Sequence, residues 1–153
     1  MNILFVCTGN TCRSPMAAGI MEKLAEENGL LARIESAGLF ATDGESATAE
    51  AVEALKKYDV DLSEHKSQQI TPELIEKSDL IITMTEAHKL LLQDLAKEKT
   101  CTVCELGDLD GEIEDPFGGD VIEYIETADR LFIALTQICD KLLEIQENQQ
   151  SGE

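Results

Sequence analysis

The chain has 153 residues, 43% hydrophobic and 28% charged, a composition that fits one globular domain around a single core. Its 31 acidic against 12 basic residues give a formal charge of −19, a surface that repels nucleic acid and anionic lipid and excludes both as expected partners. Five cysteines without framework spacing, no secretion-type leader and no apolar run of membrane-spanning length point to free thiols in a reducing, cytoplasmic setting.

Residues 2–6, NILFV, predict a short buried strand. Ser14 followed by Pro15 predicts a helix N-cap and first helical position. Ala17, Ile20, Met21, Leu24 and Ala25 follow at helical spacing, and Gly29 stands where a C-cap glycine ends a helix. ARIESAG predicts a second strand closing at Gly38. Ala51, Val52, Leu55 and Tyr58 line one face of a second helix. Thr71 and Pro72 open a short helix, DLIITM reads as a strongly buried strand, and Thr85 opens a helix through Leu95. TCTVCEL alternates as a fourth strand would, which places Cys101 and Cys104 inside it. An acidic loop over 107–119 contains EDPFGG. From Val121 onward Ile125, Ala128, Phe132, Leu135, Cys139 and Leu142 mark a long amphipathic helix. Its polar end predicts a single domain over 1–147 and a fraying tail over 148–153.

Strands alternating with helices imply right-handed βαβ units. The expected fold is α/β, a three-layer sandwich with a four-stranded parallel sheet flanked by helices. Such sheets bind ligands at the carboxyl ends of their strands. FVCTGNTCRSP leaves the first strand and enters the first helix at such an end. A loop there turns several backbone N–H groups toward one point, with the helix dipole behind them. Gly9 permits a turn that a side chain would block. Arg13 adds a planar fork suited to two phosphate oxygens. The field that holds a dianion also stabilises a thiolate, so Cys7 reads as a nucleophile at the bottom of a phosphate cradle. Ser14 can give its hydroxyl to that sulfur. The G-x-x-x-x-G-K-[ST] loop of nucleotide triphosphatases is absent. A buried structural thiol with a surface arginine is the plain alternative, and the position of the pair between strand and helix argues against it.

VCTGNTCRSPMA resembles the signature of the low-molecular-weight protein-tyrosine phosphatase family. SAG after the second strand, DLIITM and the late DPFGG extend the resemblance over nearly the whole chain, and the chain looks most similar to the bacterial protein-arginine phosphatases. The resemblance implies the phosphotyrosine phosphatase I-like fold, with Cys7, Arg13 and Asp115 as catalytic residues. Thr8, Gly9, Asn10, Thr11, Cys12, Arg13 and Ser14 would form the phosphate-binding loop. Cys7 would attack phosphorus to form a cysteinyl-phosphate, and Arg13 would hold the equatorial oxygens. Asn10 would be supported by Ser36 and His65. Asp115, held extended by Pro116, would be the general acid and then the base for hydrolysis. No metal and no cofactor are implied.

Selectivity is expected from Thr11, where tyrosine-directed relatives carry a bulkier aliphatic residue, and from Phe117, where they carry more aromatic wall. Phosphoarginine in proteins is the expected substrate, phosphotyrosine the alternative, and a monomer the expected state. Cys12 is the implied redox partner of Cys7. A thioredoxin-coupled arsenate reductase would need further thiols after the third strand, where TMTEAHKLLLQ has none. A non-enzymatic phosphoprotein-binding module would need neither thiolate nor acid. Cys101 and Cys104 lack a second pair for zinc, Cys139 reads as core, and His88 as a cap or decoration of its helix.

Overall fold

Strand β1 (Asn2–Cys7) runs through the middle of a wholly parallel sheet of order β2-β1-β3-β4, in a computed structural model that describes residues 1–152. Its neighbours are β2 (Arg33–Gly38) and β3 (Leu80–Thr83), with β4 (Thr100–Thr102) at the edge beyond β3. Ile3 through Cys7 are all buried. The run is continuously apolar because both sheet faces are covered. Ile3, Phe5 and Cys7 face a core built with α1 (Arg13–Asn28), α2 (Ala49–Ala54) and the long last helix, whereas Leu4 and Val6 face a smaller core with Leu74, Ile75, Ile81 and Leu92. The three-layer α/β sandwich follows from that two-sided burial.

Helix α1 starts two residues earlier than its sequence predicts. Cys12 occupies the capping position with no side-chain cap, and Ser14 sits in the first turn with its hydroxyl engaged elsewhere. Gly29 ends the helix at φ 77°, its N–H returning to Ala25, as expected. The second predicted helix is α2, capped by Thr48, followed by a 3₁₀ turn over Leu55–Tyr58. Thr71 caps α3 (Pro72–Lys77) as predicted.

The helix expected from Thr85 to Leu95 is two pieces, α4 (Glu86–Leu91) and α5 (Gln93–Ala96). Leu92 turns inward at the break and packs with Ala96 under the sheet, leaving Leu90, Leu91 and Leu95 exposed. TCTVCEL is a strand only as far as Thr102; Val103–Leu106 form α6. A capping box overrides the alternation: Glu105 N–H donates to Thr102 Oγ1 at 3.0 Å and Thr102 N–H to Glu105 Oε1 at 2.8 Å. Cys104 therefore lies on a helix and only Cys101 on the strand. The last helix, α7 (Val121–Ser151), is capped by Asp120 and continues through the polar end to Ser151. Glu and Gln are good helix formers, and Gln146 ties this stretch to the Gly29–Leu31 turn through two hydrogen bonds. No helix among the described residues is long and apolar enough to cross a membrane.

Candidate active site

The loop from Cys7 to Arg13 lies at the carboxyl end of the central strand, and its carbonyls are tied outward. Cys7 O accepts from Leu39 N–H at 3.0 Å, Thr8 O from Phe40 N–H at 2.9 Å, and Thr11 O from Thr48 N–H at 2.9 Å. Asn10 O accepts from His65 Nε2–H at 2.8 Å. The peptides of this loop are all trans, so each outward carbonyl sets the following N–H in the opposite direction. The amides of Thr8, Gly9, Thr11 and Cys12 thus point into the loop, the arrangement of an anion nest. The scaffold approaches so closely that a Cβ on Gly38 would stand 2.6 Å from Thr8 O and 3.0 Å from Asn10 N. Only glycine fits at that end of β2.

Asn10 holds the bend. It has a left-handed backbone at φ 59° and is fully buried. Its Nδ2 hydrogens go to Ser14 Oγ at 2.8 Å and Ser36 Oγ at 2.9 Å, and Oδ1 accepts from Gln68 N–H at 2.9 Å. With all three donors and acceptors assigned, the amide orientation is fixed. Ser14 Oγ, which accepts from Asn10, lies 2.9 Å from Cys7 Sγ and has its own hydrogen free for the sulfur. His65 is held below its ordinary pKa by burial, against the opposing pull of the Asn10 carbonyl, so the neutral ring donates from Nε2. Ser36 and His65 thus meet at Asn10, where the family resemblance places them.

Arg13 is buried in the first turn of α1. Its Nη1 donates to Ile113 O at 3.0 Å and its Nη2 lies 3.6 Å from Asp115 Oδ2. Ile113 N–H donates to Met84 O at 3.1 Å, which docks the acidic loop on the end of β3. Asp115 Oδ1 accepts from Phe117 N–H at 3.0 Å, fixing the carboxylate over the Pro116 turn. Arg130, on α7, braces the same loop from behind through Nε to Glu112 O at 3.3 Å and Nη2 to Asp110 O. Cys12 Sγ is 3.6 Å from Asp115 Oδ1. Burial first, then the neighbouring Cys7 and Asp115, push the Cys12 thiol up to about 12.

Thr11 is partly exposed in the loop and Phe117 is 72% exposed beside Asp115. Sequence reading missed Phe40, 73% exposed two residues after β2, with its N–H on Thr8 O. It also missed Gln68, Ile113 and Arg130, whose roles arise through backbone groups that no side-chain pattern announces. His88 is buried, with Nε2 3.0 Å from Thr8 Oγ1, and is no surface decoration. The Thr85-to-His88 cap, which seats it, was the one local signal.

The family model for low molecular weight phosphotyrosine protein phosphatase matches residues 2–151. The protein-arginine-phosphatase of Bacillus subtilis is 41% identical over 146 residues, 93% of this chain and 97% of its own. The low molecular weight protein-tyrosine-phosphatase PtpB of Staphylococcus epidermidis is 36% identical over 141 residues, 90% of this chain and 96% of its own. Among solved structures, the YwlE arginine phosphatase in a C7S form with a phosphorylated active-site serine superposes with a TM-score of 0.89 at 40% identity, covering 94% of this chain and 96% of that one. The match over nearly the full length, on the fold just described, makes this chain a member of the low-molecular-weight protein-tyrosine phosphatase family.

Proposed function

We propose that this phosphatase hydrolyses phosphoarginine in proteins through a cysteinyl-phosphate intermediate. The observation that carries the chemistry is the convergence of Cys7, the Ser14 hydroxyl on its sulfur, the inward amides, and the Arg13 fork facing Asp115. Cys7 thiolate attacks phosphorus as the bond from phosphorus to the guanidine nitrogen breaks, and the Asp115 carboxylic acid delivers its proton to that nitrogen. Arg13 and the loop amides hold the equatorial oxygens, whose charge they stabilise in the transition state. Asp115, now a carboxylate, takes a proton from water as the water attacks phosphorus. The S–P bond breaks, inorganic phosphate leaves, and the Ser14 hydroxyl receives the departing thiolate.

Thr11 supports the arginine reading. It offers a small body and a hydroxyl at the loop's open side, where a phosphoguanidinium group presents N–H donors. The relatives of known name that resemble this chain include protein-arginine phosphatases at 41% and 38% identity. A guanidine, with a pKa near 13 or above, leaves less readily than a phenol near 10, which gives the proton from Asp115 added weight. The exposed rings of Phe40 and Phe117 favour a second reading, phosphotyrosine, since either could stack on a phenyl ring. The test is kcat/KM for one peptide scaffold bearing phosphoarginine or phosphotyrosine, with the natural chain and with Thr11→Ile. A phosphoarginine preference that collapses in the variant supports arginine selectivity set by Thr11. Preference for phosphotyrosine in both proteins overturns it and leaves a tyrosine phosphatase.

A further inference from the structure

We propose that His88 is a positioning residue of the cradle: a neutral ring, protonated on Nε2, that donates to Thr8 Oγ1 and presents Nδ1 as a lone pair in the field of Arg13. The inference rests on the reading of the loop as a phosphate site. The ring reaches the loop by a short relay from β3. Thr83 Oγ1 donates to Thr85 O at 3.0 Å, Thr85 Oγ1 accepts from His88 N–H at 3.2 Å, and His88 Nε2 then stands 3.0 Å from Thr8 Oγ1. Thr8 is thereby fixed twice, at its side chain by α4 and at its carbonyl by Phe40 N–H. The Thr8 carbonyl shares a rigid peptide with Gly9 N–H, so fixing Thr8 aims one of the inward amides.

Three protonation states of His88 are available, and the surroundings separate them. Nδ1 is buried without a protein partner, and so is the Nε–H of Arg13. With the proton on Nδ1, the ring would bury an unpaired donor close to a cation. With both nitrogens protonated, it would place a second cation beside Arg13. With the proton on Nε2, the Thr8 bond is kept and the buried nitrogen is an acceptor, the one state that attracts the guanidinium. Burial first, then Arg13, pull His88 down to about 4, with Glu112 and Asp115 opposing, so the ring is neutral at ordinary pH. It adds no positive charge that would compete with Arg13 for the phosphoryl group. His65 grips the same loop at Asn10 O, so two neutral imidazoles, one from α4 and one from the connection before α3, clamp it at alternate residues.

The first test is the ring ¹⁵N spectrum of the natural protein. An Nε2–H tautomer at neutral pH that persists to about pH 5 is expected; an Nδ1–H tautomer, or titration near the free histidine value, overturns the proposal. The second is kinetic. His88→Ala should lower kcat/KM for an aryl phosphate by about 10-fold to 100-fold. Affinity for orthovanadate, which mimics the transition state, should fall in step, while affinity for inorganic phosphate shifts by no more than about threefold. His88→Gln, which can return an N–H to Thr8, should recover most of the loss. Turnover of His88→Ala within about twofold of the natural protein, equal losses for vanadate and phosphate, or a glutamine variant no better than alanine each overturn it. If the alanine variant does not fold, the spectrum and the glutamine variant decide. A natural protein that turns over neither phosphoarginine nor an aryl phosphate and binds no orthovanadate would instead overturn the phosphate-site reading itself.

Discussion

Arg13 Nη2 lies 3.6 Å from the Asp115 carboxylate, so a guanidinium rooted in the first helix faces a carboxylate on a loop that arrives late in the chain. The same guanidinium also donates to that loop, from Nη1 to Ile113 O. The pairing concentrates on one side of Cys7 both groups that the proposed chemistry requires, and it makes their separate contributions measurable.

Asp115→Asn keeps an oxygen acceptor for Phe117 N–H and removes the proton. We expect turnover to fall by about 10²-fold to 10⁴-fold on phosphoarginine and on aryl phosphates with poor leaving groups. Activated aryl esters, which expel a stable phenolate, should lose far less. The measurement is kcat across a series of graded leaving groups. A loss that is constant across the series would remove Asp115 from leaving-group protonation.

Asn10→Ala strips three side-chain hydrogen bonds from a buried site and leaves a Cβ on a left-handed backbone. A stability loss of about 2–4 kcal/mol is expected in urea denaturation. Asn10→Gly should recover about 1 kcal/mol of it by relieving the backbone, yet be no more active, because Ser14 is still unheld. Recovery of turnover by glycine would show that backbone strain, not the network, limits the site.

Arg130→Met removes the brace behind the acidic loop without touching the cradle. Turnover should drop by about tenfold or more. The rate of Cys7 alkylation by iodoacetate should be unchanged. A matching drop in alkylation would mean that the brace supports the whole site and not the loop alone.

Both histidines titrate lower in the folded chain than in the unfolded one. Between 6.5, the unfolded value, and about 4, the unfolded chain binds a proton at His88 that the folded chain refuses. Stability therefore falls as pH drops through this window, and His65 adds to the fall at its upper end. His88→Gln should bind about one proton fewer on unfolding near pH 5, seen as a shallower slope of unfolding free energy against pH. An unchanged slope would mean that His88 is already charged in the folded protein.

Peroxide oxidation of Cys7 to a sulfenic acid, followed by attack of the Cys12 thiol with loss of water, would give a disulfide that dithiothreitol reverses. Cys12→Ser should then recover much less activity after peroxide and dithiothreitol than the natural chain. Equal recovery would make Cys12 a packing residue. Its raised pKa predicts slow closure of the bond at neutral pH.

The sheet and its connections were legible because their signals are local: the apolar run of β1, the Thr71–Pro72 start of α3 and the stripe of α7. The site's nucleus was legible for the same reason, since Cys7 to Ser14 is one contiguous stretch. Errors arose where two local signals competed. Alternation in TCTVCEL concealed the Thr102–Glu105 box, and Ser14–Pro15 read as a cap although the loop engages Ser14 inward. What stayed hidden was tertiary. His88, Gln68 and Ile113 acquire meaning only from the residues that face them.

The cradle's ties reach across 26 residues to Ser36, 55 to His65, 58 to Gln68, 80 to His88 and 100 to Ile113. Each tie closes a chain loop of that length, and such closures are made late because their entropy must be lost before the contact is gained. A ribosome-bound chain that has made only β1, α1 and β2 already carries the whole signature stretch and still lacks the groups that shape it. The shaped cradle is thus a property of the nearly finished chain, since an emerging fragment that ends before Ile113 still lacks the last of these ties.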